Sequence, residues 1–99
     1  MGKDSKMISP REALQEALDK KGEDIHPGIL ARFFVEEIAF SYSIVGSIKI
    51  LGKEQRYNCR HVVSKELFQE ARSKKELMGS VDFVVDAIVR RIRIGVQRV

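Results

Sequence analysis

The sequence predicts an α+β domain that is mostly helical: two N-terminal helices, a basic β-hairpin and two C-terminal helices. Three observations lead there. Four segments repeat apolar residues at helical spacing, one segment between them alternates apolar and polar residues, and the composition is that of a compact chain. Of 99 residues, 43% are hydrophobic and 32% charged, which is enough apolar material for one core. The expected organisation is a flexible tail over residues 1–8 followed by a single globular domain over 9–99.

The first helix is the best signalled. Ser9, Pro10 and Glu12 form a capping box with proline at the first helical position. Ala13, Leu14, Ala17 and Leu18 make a narrow apolar stripe, Lys20 and Lys21 sit at the negative end of the dipole, and Gly22 stops the helix. After the polar turn Gly22-Glu23-Asp24, Pro27 suits a second start. Ile29, Leu30, Phe33, Phe34 and Ile38 then follow at helical spacing, which predicts a second helix.

Residues 44–63 admit two readings. As strands, Ile48 and Ile50 alternate with Ser47 and Lys49, Gly52-Lys53-Glu54 turns the chain, and Arg56, Asn58 and Arg60 alternate with Tyr57, Cys59 and His61. As a helix, Ser41 or Ser43 caps a turn in which Ile44, Val45, Ile48 and Leu51 share a face. The β-branched content and Gly46 favour the hairpin. Further on, Ser64 caps a helix carrying Leu67, Phe68, Ala71 and Met78, and Gly79 is expected to end it. Ser80 starts another, with Val81, Val84, Val85, Ile88, Val89 and Ile92 in a regular i, i+3, i+4 series. From Arg91 the pattern also alternates, so a terminal strand is an alternative there.

Charge is distributed unevenly. Residues 1–43 carry six bases and eight acids, whereas residues 44–99 carry twelve bases and six acids. Such an asymmetry fits a basic face for an anionic partner, and the hairpin concentrates it in Lys49, Lys53, Arg56 and Arg60 against Glu54 alone. The bland alternative is a solvated strand guarded by charge.

Enzymatic and metal chemistry have little to rest on. Besides carboxylates, the metal-ligating side chains are His26, Cys59 and His61, short of the paired spacing a zinc site needs. No glycine-rich phosphate loop is present, and Glu36 and Glu37 are adjacent, which on a helix points them about 100° apart. No cofactor and no small-molecule substrate are indicated. The single cysteine cannot form an internal disulfide, and the polar opening has no apolar signal core, so the expectation is a cytoplasmic chain. The apolar-looking stretch 29–51 carries Arg32, Glu36, Glu37 and Lys49 and is not a membrane span.

Gly46-Ser47-Ile48-Lys49-Ile50-Leu51, the Gly52-Lys53 turn, Arg56 with Tyr57, and the helix led by Ser64 resemble the wing and post-wing helix of winged-helix DNA-binding regulators. The match covers about residues 44–78 and departs upstream, where 22–43 is short for the two helices the motif needs. The resemblance implies phosphate contacts from the wing and dimerisation through trailing helices. Under the helical reading, Phe40 to Val45 is similar to the opening of a recognition helix, with Ser41, Tyr42 and Ser43 near the bases. The expected function is therefore non-enzymatic DNA binding, in transcription regulation, by a homodimer. The alternative is an assembly or protein-interaction subunit whose contact surface is Val81, Val84, Val85, Ile88, Val89 and Ile92.

Overall fold

The structure is a computed structural model that describes residues 8–22 and 24–97. The tail expected over 1–8 lies almost wholly outside the described residues. The elements run α1 (Pro10–Lys21), β1 (Ile29–Glu37), β2 (Ser41–Ile50), β3 (Arg56–Ser64), α2 (Glu66–Gln69) and α3 (Lys74–Gln97). The strands form one antiparallel sheet in the order β1-β2-β3, and a single core cluster joins α1 and α3 to one of its faces.

The α1 helix forms as its residues dictate. The Ser9 hydroxyl accepts from the Glu12 amide at 3.1 Å, and Ala13, Leu14 and Leu18 are fully buried. Gly22 ends the helix for a reason that lies elsewhere in the fold. Its φ is an ordinary −54°, but a Cβ there would come within 2.5 Å of the Ala31 carbonyl oxygen. This close approach lets the Ala31 amide donate to the Gly22 carbonyl at 3.1 Å.

The second predicted helix is instead β1, so the arrangement of two N-terminal helices is corrected to one helix and a strand. Ile29, Ala31, Phe33 and Val35 are buried and alternate with half-buried Leu30 and exposed Arg32, Phe34 and Glu36, a period of two. The helical look arose because Leu30 and Phe34 are apolar although they sit on the other face. The hairpin formed as the strand reading has it, so residues 41–50 are not a recognition helix. Gly52, at φ +86°, makes the turn in which the Lys53 amide donates to the Ile50 carbonyl at 3.1 Å.

The C-terminal half is corrected too. The helix expected from Ser64 lasts four residues as α2, and α3 then runs unbroken for 24 residues through Gly79 and Ser80. Its cap is Ser73, whose hydroxyl accepts from the Glu76 amide at 3.2 Å and donates to the Glu76 carboxylate at 3.4 Å. Gly79 is exposed with open space around it, so nothing there interrupts the helix. The alternating C-terminal tail is the end of this helix and not a strand. Val81, Val84, Val85, Ile88, Val89 and Ile92 are all at most 6% exposed. The stripe expected to serve as an interface is therefore core of the single chain.

The two sheet edges differ. On β1, the Gln15 side chain of α1 acts as a substitute peptide group: its Nε2 donates to the Phe33 carbonyl at 2.8 Å and its Oε1 accepts from the Val35 amide at 2.9 Å. With Gly22 pairing Ala31, the outward backbone of β1 is closed. The β3 edge has no such cover among the described residues.

Candidate nucleic-acid interface

Because both helices lie on one face, the opposite face of the sheet is open. Cross-strand register arranges its side chains in four rows: Leu30-Lys49-Arg56, Arg32-Ser47-Asn58, Phe34-Val45-Arg60 and Glu36-Ser43-Val62. Arg32, Lys49, Arg56 and Arg60 are exposed on it, against Glu36, with Phe34 and Val62 each more than half exposed. Among the described residues the one ion pair joins Lys65 and Glu37 at 2.6 Å, so these four cations have no acidic partner there.

Lys49 and Arg56 stand directly opposite each other. The turn contacts from Leu51 to Gly28 and from Lys65 to Phe40 fix which pairs exchange hydrogen bonds, and Lys49 with Arg56 falls on a non-bonded pair, where side chains come closest. Like charges so placed repel and weaken the pairing. Lys53 projects from the adjoining turn and lines an open hollow with Lys49, Glu54 and Arg56. Four residues along β3, about 13 Å away, the Arg60 Nε donates to the Ser43 hydroxyl at 3.1 Å, so its guanidinium lies flat across the sheet.

The four predicted hairpin cations thus share one surface, whereas Ser41, Tyr42 and Ser43 do not belong to it as base-reading groups. Ser41 is half-buried, and Ser43 is 1% exposed beneath Arg60. Tyr42 is 5% exposed, with its ring edge-on to Phe68 at 5.7 Å and under the Lys65 ammonium at 5.5 Å. Arg32 and Phe34 join this surface through the β1 to β2 register, which the helical reading of residues 29–38 hides.

On the helix-covered side, Tyr57, Cys59 and His61 point inward and are half-buried. Burial raises the Cys59 thiol above its ordinary value, which keeps it protonated and unreactive near neutrality. Burial, and then the nearby Arg91, lower the His61 pKa. The Arg91 Nη1 lies 3.2 Å from His61 Nδ1, a contact that needs this nitrogen unprotonated. Among the described residues no three His, Cys, Asp or Glu side chains cluster to hold a metal. Among the described residues, no helix is long and apolar enough to cross a membrane.

The His61 environment gives a pH dependence. Folding disfavours the charged imidazole, so the unfolded chain binds more protons and stability rises with pH. The contribution is present above the unfolded value of about 6.5 and is lost as pH falls through the lower folded value. Thermal melts between pH 7 and 5 are expected to show a decline in wild type that flattens in His61→Gln.

Fold and surface define a small α+β protein with two helices backing a three-stranded sheet whose other face is open and basic. No protein-family model, curated protein or solved structure matches the chain.

Proposed function

We propose that this chain is a non-enzymatic nucleic-acid-binding protein whose contact surface is the open sheet face, with Lys49, Lys53, Arg56 and Arg60 on phosphates and Arg32 joining them. The observation that carries the reading is the Lys49–Arg56 pair: two cations face each other across adjacent strands with no acidic partner among the described residues. An arrangement that weakens the sheet by itself becomes favourable once a phosphate sits between the two side chains. Phe34, 57% exposed in the row of Arg60, adds an aromatic surface on which an unpaired base can stack.

Fluorescence anisotropy with labelled 20-mers of single- and double-stranded DNA, at about 50 mM salt where electrostatics are strong, tests the proposal. Saturable binding that weakens as salt rises is the expected result. No binding to either form at low salt contradicts it.

A further inference from the structure

We propose that the β3 edge, with the groove between β3 and α3, is a docking site for an extended acidic peptide that adds a fourth strand to the sheet. This goes beyond nucleic-acid binding and rests on the β3 backbone and its groove, while the peptide's acidic side chains meet Arg56 and Arg60, which the proposed DNA contact also uses.

The backbone supplies the first argument. Hydrogen-bonded pairing of Tyr42 with Val63, Ile44 with His61, Gly46 with Cys59 and Ile48 with Tyr57 follows from the Lys65 to Phe40 contact and the register. Alternation then turns the amides and carbonyls of Asn58, Arg60 and Val62 outward, and none of them has a partner among the described residues. The β1 edge, by contrast, is closed by Gln15 and Gly22. An unpaired edge is a template for strand addition.

The second argument is the groove beside that edge. About 120 Å³ of half-enclosed space is lined by Tyr57, Cys59, His61, Ile88, Arg91 and Ile92. Alternate side chains of an added strand point into this space, where Ile88 and Ile92 favour apolar groups of valine size. The Tyr57 hydroxyl at the floor of this space is buried against Gly95 with no hydrogen-bond partner among the described residues.

Charge selects the occupant. The other side chains of the added strand lie on the open face beside Arg56 and Arg60, and β3 itself contains no acid. A second copy of β3 would set its own arginines beside these, so self-pairing is disfavoured. A strand alternating acidic and apolar residues satisfies both sides at once.

The probe is an acetylated, amidated octapeptide alternating Glu and Val, with a Lys and Val version as control. Amide exchange of the full chain, followed by nuclear magnetic resonance, reads the edge directly. At ten times its Kd the acidic peptide is expected to slow exchange of the Asn58, Arg60 and Val62 amides about tenfold, and the Lys version to do nothing. N-methylating one alternate set of peptide amides should abolish binding while methylating the other set leaves it intact. Equal binding by both methylated peptides, protection elsewhere only, or equal effects of the Glu and Lys versions would overturn the proposal. So would protection of these three amides by an oligonucleotide, or by raising protein concentration without peptide, since the edge would then belong to nucleic acid or to a second copy.

Discussion

Val85→Asp is expected to unfold the protein and not to yield a folded monomer. Val85 is 2% exposed in the middle of α3, within the cluster that α1 and the sheet also build. A carboxylate placed there is charged and unpaired or neutral and unsatisfied. Either way the cost is about 3–5 kcal/mol, a large share of the ~5–15 kcal/mol that holds a domain together. Phe83→Asp is the matched control, because Phe83 on the same helix is 70% exposed. It should shift stability by no more than about 0.5 kcal/mol. Circular dichroism and denaturant midpoints of the two variants separate a core stripe from an assembly surface, since an interface substitution would leave Val85→Asp folded with a reduced mass.

Lys49→Thr with Arg56→Thr should weaken DNA binding on the order of a hundredfold at about 50 mM salt, the contribution of two released counterions. The same variant should be as stable as wild type or more so by about 0.2–1 kcal/mol, because the facing like charges are removed and threonine suits a strand. Loss of affinity together with retained stability distinguishes a binding surface from a structural one. A fall in both would assign the two cations to holding the hairpin.

What the sequence discloses depends on how local each signal is. The α1 cap lies within four residues, Ser9 to Glu12, and the alternation of β3 within its own nine residues, so both are legible without the rest of the fold. The β1 strand is not, because Leu30 and Phe34 carry apolar side chains to the open face and mimic a helical stripe. Its buried positions 29, 31, 33 and 35 are all apolar and did record the true period. Gly79 was misleading in the opposite way, since an exposed glycine weakens a helix without stopping it when a stripe from Leu77 to Ile92 is buried on both sides of it.

The candidate site divides similarly. Lys49, Lys53, Arg56 and Arg60 could be gathered from one hairpin, but Arg32 joins them only through the β1 to β2 register. Closure of one edge by Gln15 joins residues 18 and 20 positions apart and leaves no trace in local pattern. The open β3 edge becomes visible only once that closure is known.

Contact between the open sheet face and phosphates is tested most directly by the salt dependence of DNA affinity, wild type beside a Lys49→Ala, Arg56→Ala, Arg60→Ala variant. With each phosphate contact adding about 0.7–0.9 to the slope of log K against log salt, the variant's slope should be shallower by about 2–3. An unchanged slope in a folded variant would contradict the assignment of these residues to phosphates.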